Sequence, residues 1–182
     1  MNEVLRTIMQ RYSCRDFKDT PLTDEQIKAL TEAALAAPSG MNRQPWHINM
    51  VTDKALIDEL DTEGMRMLAE AEDKSGYERM MARGGKLLYG APCLMLITTD
   101  GEAGMDAGIL SENVALAAHS LGLGSCIVGM AGMPLTGPRG EEFKQRLQFT
   151  PGHVFGIGIL IGAANSGKEP HEPDHSKVTY IK

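Results

Sequence analysis

The sequence predicts an α+β fold, a mixed sheet with helices packed on it, and three observations carry that expectation. Residues 93–99 (CLMLITT) are continuously apolar over the length of one strand, the pattern of a strand buried on both faces. Residues 105–121 form the clearest helical pattern in the chain and are apolar on more than one side, as suits a helix at the centre of a molecule or in an interface between chains. Around them helix-length and strand-length patterns follow one another with no internal repeat and no linker, so residues 1–182 read as one domain.

In chain order, Asn2–Gln10 places Val4, Leu5 and Ile8 at helical spacing and predicts a short first helix. Arg11–Phe17 follows as an extended or irregular segment. Thr23 with Gln26 three residues on makes a capping box for a second helix, whose buried face is Ile27, Leu30, Ala34 and Leu35 and which Pro38 ends. His47–Val51 predicts the first strand. Asp53–Leu60 begins a helix capped by Thr52 or Asp53. Gly64–Arg83 is rich in Met, Arg and Glu, with a glycine at 76; it predicts a mobile helical stretch, with a substrate-facing lid within 60–85, broken by Gly84-Gly85. Met105–Leu121 is the central helix, with Gly122 as its C-terminal cap. Ser125–Met130 predicts a third strand, Glu141–Leu147 a polar helix, and His153–Gly162 a fourth strand with Ile157, Ile159 and Ile161 in alternation. Val178–Ile181 predicts a terminal strand.

Hydrophobic content of 42% with 23% charged residues is that of a soluble globular protein. No run of about eighteen apolar residues exists, so no membrane span is expected. The start, MNEVLRTIMQR, lacks the pattern of an export leader, which points to a cytoplasmic protein. A net charge of −6 argues against a nucleic-acid partner. Such a chain must gather cations locally to hold an anion, which draws attention to Arg11 and Arg15. Cys14, Cys93 and Cys126 have no metal-ligand spacing with the histidines and read as reduced, buried thiols. The twelve methionines read as core filler and a pliable pocket wall.

The most informative stretch is Ala37-Pro-Ser-Gly-Met-Asn-Arg-Gln-Pro-Trp46. Its small residues, the amides of Asn42 and Gln44, the Ser39 hydroxyl and the only tryptophan suit contact with a flat, heteroatom-rich ligand. The same residues also suit an ordinary helix-to-strand connection whose prolines stop the helix and aim the strand. Arg11 and Arg15, with Ser13 between them, offer planar forks of donors for a phosphate, or could serve as surface ion pairs. Gly122–Gly129 is not a dinucleotide-binding fingerprint, because the helix precedes the glycines and their spacing is wrong. Gly156-x-Gly158 fails too, since no helix follows. No nucleophile–histidine or paired-carboxylate arrangement is present, so no side chain is expected to act as essential acid or base.

Arg11-Tyr-Ser-Cys-Arg-Asp-Phe17 and APSGMNRQPW, in this order and separation, resemble the signature of the FMN-dependent nitroreductase family. The likeness continues through Gly122-Leu123-Gly124 to the tail. The resemblance implies an interlocked homodimer with FMN in the dimer interface. It implies that Arg11 and Ser13 meet the FMN phosphate and ribityl chain, and Arg15 the flavin pyrimidine edge. Tyr12 stands where the family often has a second basic residue, and a tyrosine cannot neutralise phosphate. Pro38, Ser39, Gly40 and Asn42, with Gln44, would reach the cofactor from the partner chain, while Trp46 would anchor the core. Ile127, Val128 and Gly129 would lie beside flavin N5 and O4. Lys168 and His171 match two phosphate-binding basic positions; His171 replaces the usual arginine, His175 or Lys177 could substitute, and a solvated tail is the other reading.

The implied activity is hydride transfer from NADH or NADPH, through the flavin, to a small-molecule electron acceptor: a nitroaromatic, quinone or activated alkene. The kinetics would be ping-pong. Rival readings are a flavin-binding protein without turnover, and relatives that perform reductive dehalogenation or flavin fragmentation.

Overall fold

A computed structural model describes residues 1–101 and 103–182. Its central layer is a four-stranded sheet in the order β1-β2-β4-β3, built from β1 (Trp46–Val51), β2 (Cys93–Thr99), β3 (Gly124–Val128) and β4 (Val154–Gly162). All three strand pairings are antiparallel, with Val51 opposite Leu94, Cys93 opposite Ile161 and Gly124 opposite Gly162. The parallel component is a single bridge, Ser13 to Ser125.

The continuous apolarity of β2 has a direct cause, since both of its faces are covered. Leu94 and Leu96 enter one core cluster, while Cys93, Met95 and Ile97 enter the other. The first cluster lies under α3 (Lys54–Glu70), α4 (Ser75–Met81), a 3-10 segment (Gly129–Thr136) and α6 (Gly140–Arg146). The second lies under α2 (Asp24–Leu35) and α5 (Gly104–Ser120). Trp46 packs against that second cluster, as its anchoring role requires. The first helix, α1 (Glu3–Gln10), rests on α5.

Local chemistry sets the helix boundaries. The Asn2 side chain accepts from Leu5 N–H at 2.9 Å, and the Thr23/Gln26 capping box is formed in both directions. Asp53, rather than Thr52, caps α3 by accepting from Leu56 N–H at 3.2 Å. Gly122 has φ +72° and lets Leu123 N–H return to Ala118 O at 2.8 Å, closing the end of α5.

Four expectations change. Residue 35 lies off the core: Leu30 and Ala34 are buried in α2 but Leu35 is 50% exposed, because it sits about 100° around the helix from Ala34 and off the face that Leu30 and Ala34 share. β3 stops at Val128, since the chain winds into the 3-10 segment at Gly129. Residues 54–70 form one helix through Gly64, and α3 and α4 are docked by buried Leu60, Leu68 and Met80. Val178–Ile181 forms no strand: the residues are exposed and have no ladder partner. All three cysteines are free and buried. No helix is long and apolar enough to cross a membrane among the described residues.

Candidate active site

Both motifs are tied to α5. In the 38–44 loop, Gly40 N–H donates to Asp106 Oδ1 at 3.2 Å, in the first turn of α5. Met41, Asn42 and Gln44 adopt φ of 53°, 53° and 47°, left-handed values that non-glycine residues enter at a cost, with Arg43 between them at −71°. The loop's own side chains hold this shape: Ser39 Oγ accepts from Gln44 N–H at 2.9 Å, and Gln44 Nε2 donates to Asn42 Oδ1 at 3.3 Å. Asn42 and Gln44 therefore brace the loop, which is exposed together with Pro38 and Gly40.

The second anchor is the ion pair between Arg11 Nε and Glu112 Oε1 at 3.3 Å. It engages the guanidinium through Nε and leaves both terminal nitrogens without a hydrogen-bond partner among the described residues. Asp106 and Glu112 are six residues apart, hence about 9 Å along the helix and about 120° around it. The two motifs of one chain thus diverge across α5.

Residues 11–17 are stitched to the sheet. Cys14 N–H donates to Ser125 O at 2.8 Å, and Lys18 N–H to Ala163 O at 2.9 Å, with Phe17 bridging Ala164. This brings Ser13, Arg15 and Arg11 around Cys126. Burial pushes the Cys126 thiol up, while the charge of Arg15, the Ser13 hydroxyl and the charge of Arg11 oppose that push. Cys14 and Cys93 are also pushed up by burial, Cys93 to about 12, so these thiols are protonated and inert near neutral pH. Next along β3, Ile127 is 38% exposed, Val128 is buried, and Gly129 faces open space where a Cβ would meet nothing.

The tail departs from the same place. The Tyr12 hydroxyl donates to Ser166 O at 3.3 Å, and burial pushes its phenol up, so Tyr12 acts as a neutral tether. Lys168 and His171 lie just beyond, exposed and outside any helix or strand. Within one chain the structure sets the Arg11–Arg15 segment against Ser125 of β3, the strand that leads to 127–129. It does not join them to Pro38–Gln44.

Sequence reasoning missed part of this site. Arg15 lines a cleft of about 550 Å³ together with Lys54, Arg83, Lys86 and Tyr89, and with Asp16 and Asp19. Lys54 pairs with Asp58, whereas Arg15, Arg83 and Lys86 have no carboxylate within 4.0 Å among the described residues. Four cations outnumber the two carboxylates of Asp16 and Asp19, so in a chain of net charge −6 the lining is net positive. The cation–Gly–Gly–cation run at 83–86 was the available signal, and it was read only as a helix break.

The donor set suits a flat, phosphate-bearing ligand such as FMN. It offers two guanidinium ends, hydroxyls and the exposed positions Ile127 and Gly129. A profile of the nitroreductase family matches residues 8–162, and the chain belongs to that family. The chain is similar to a crystallised nitroreductase with bound FMN from Desulfitobacterium hafniense, at 48% identity and TM-score 0.97 over 100% of both chains. A nitroreductase with bound FMN from Bacteroides fragilis aligns at 27% identity and TM-score 0.90, again over 100% of both. The FMN reductase (NADPH) of Bacillus subtilis is 30% identical over 95% of this chain and 71% of its own length.

Proposed function

We propose that this protein is a homodimeric, FMN-dependent oxidoreductase. It moves a hydride from NADH or NADPH to an electron-poor acceptor (a nitroaromatic, quinone or activated alkene) by a ping-pong cycle. The observation that carries the reading is the pairing of Ser13 with Ser125 on β3, with Arg15 opening onto the net positive cleft and exposed Ile127 and Gly129 following Ser125 along the chain. The FMN-bound relatives support the cofactor. FMN, when bound, supplies the hydride carrier.

The chain's residues supply charge, position and access. The free guanidinium end of Arg11 and the Ser13 hydroxyl hold the phosphate and ribityl chain, helped by Lys168 and His171 of the tail. A fixed positive charge on Arg15 at the pyrimidine edge favours the ring when it gains negative charge. Backbone donors at Ile127, Val128 and Gly129 serve the flavin edge. Protons come from water in this reading.

Two observations support the dimer. Val4, Leu5, Ile8 and Met9 of α1 are 45–65% exposed, and Met105 of α5 is 83% exposed, an apolar face too contiguous for a free surface. The divergence of the two motifs across α5 leaves room for Pro38–Gln44 of a partner chain at each Arg11–Arg15 segment. α4 is the substrate-facing lid in this reading.

An anaerobic absorbance titration of FMN-loaded protein tests it. Bleaching of the oxidised flavin band by NADH or NADPH, and its return on adding a quinone or nitroaromatic, is expected. A band that neither nucleotide bleaches would leave a flavin binder without turnover, and absence of flavin binding would overturn the reading.

A further inference from the structure

Residues 84–90 are an unusual turn. Gly84, Gly85, Tyr89 and Gly90 all adopt positive φ, at 99°, 70°, 53° and 70°. For Tyr89 that conformation is strained, so something must hold it. The turn ends at β2 and carries Lys86 and Tyr89 into the cleft shared with Arg15.

One face of α3 does the holding. Asp61 Oδ1 accepts from Leu88 N–H at 2.5 Å. One helical turn on, Gly64 leaves the space into which Leu87 fits: a Cβ there would lie 2.2 Å from Leu87 Cδ2. Leu87 and Leu88 are each 1% exposed. A carboxylate and a bare helix face, three residues apart, thus grip the backbone and the side chain of the same dipeptide. Burial raises the Asp61 carboxyl above the ordinary aspartate range; the Leu88 N–H and the Lys86 charge pull it back, and Asp58 adds to the rise. The group is kept in a costly place, which suits a role beyond solvation.

We propose that Asp61 is a positioning residue: it locks the 84–90 turn onto α3 and so fixes Lys86 in the net positive lining that Arg15 presents to the cofactor. The inference rests on the proposed FMN site, and it assigns a helix residue outside both sequence motifs to that site's electrostatics.

The test is a cycle of Asp61→Asn, Lys86→Met and the double variant, read by FMN dissociation constant, flavin reduction potential and amide exchange at Leu87 and Leu88. Asp61→Asn should speed exchange at both amides, weaken FMN by about tenfold and lower its potential, as loss of a charged hydrogen-bond acceptor implies. In the Lys86→Met background the same substitution should change the FMN constant by less than about twofold, because its effect runs through Lys86. Additive effects, or exchange unchanged at Leu87 and Leu88, would overturn the proposal. Should Asp61→Asn fail to fold, Gly64→Ala, which displaces Leu87 from the same face, must show the same dependence on Lys86. Wild-type protein that binds no FMN would overturn the proposed function instead, and the exchange measurement would still decide whether Asp61 holds the turn.

Discussion

The two faces of the sheet are finished differently. On the α3 side the cover is complete: Leu56, Ile57, Leu60, Met80, Leu87 and Phe143 are all nearly inaccessible. Its rim is closed by Glu59, which takes Arg146 at 2.7 Å and Arg139 at 3.1 Å, with Arg139 stacked over the Phe143 ring at 4.6 Å. On the α5 side the first layer is equally tight, since Leu110, Val114 and Ala118 have no exposure, but the second layer is missing. α1 buries no residue, and Met41, Met105 and Ile181 are 92%, 83% and 95% exposed. The contrast locates function. The open α5 face is where a second chain belongs, and the cofactor cleft lies at the edge of the α3 side, where Arg15 meets Lys54, Arg83 and Lys86.

The largest effect should come from charging the open face. Leu5→Asp with Ile8→Asp removes two side chains worth about 1.5–3 kcal/mol each on burial. Dimer dissociation measured by sedimentation should strengthen by at least about a hundredfold, with flavin lost in parallel and the monomer fold intact by circular dichroism. An unchanged dimer would put the interface elsewhere. Arg15→Ala should weaken FMN by about tenfold to a hundredfold, the worth of a hydrogen bond to a charged group, and lower the flavin potential. Unchanged spectra and affinity would remove Arg15 from the site.

Away from the Arg15 cleft, the closed face should answer in stability alone. In Gly140→Ala the new Cβ would sit 2.4 Å from Leu135 O, a backbone atom that cannot swing away. A loss of about 1–3 kcal/mol is expected, and Tm should fall by several degrees, with dimerisation unaltered. The smallest effect is on the acid limb. Glu59's carboxyl is lowered from 4.5 to about 2, first by its bond to Arg146 and then by that to Arg139. Its folded value lies below its unfolded one, so the pairing stabilises fully above about 4.5 and is lost as pH falls toward 2. Glu59→Gln should flatten the fall of Tm across that window. An identical slope in both proteins would show that the exposed pair adds nothing.

The same contrast explains what the sequence could tell. β2, α5 and the Thr23 capping box were legible because local pattern and tertiary environment agree there. Leu35 and the tail were misread for one reason: apolar residues that face solvent in a single chain carry the same pattern as core residues. The motif residues could be named, yet their division across α5 could not, since it depends on Asp106 and Glu112, two acids on a helix chosen for its apolarity. Arg83, Lys86 and Asp61 were invisible as a group. They meet only when the 84–90 turn folds back on α3, a contact with no periodic signature.

The central claim, that each site takes Arg15 from one chain and Asn42 from the other, has a direct test. Differently tagged Arg15→Ala and Asn42→Ala chains would be refolded together and the mixed dimer isolated, then titrated with FMN. If the site spans two chains, one of the two sites combines intact Arg15 with intact Asn42, and the mixed dimer regains one flavin bound at wild-type affinity. If both residues act within a single chain, both sites stay defective and no wild-type binding returns, which would contradict the account.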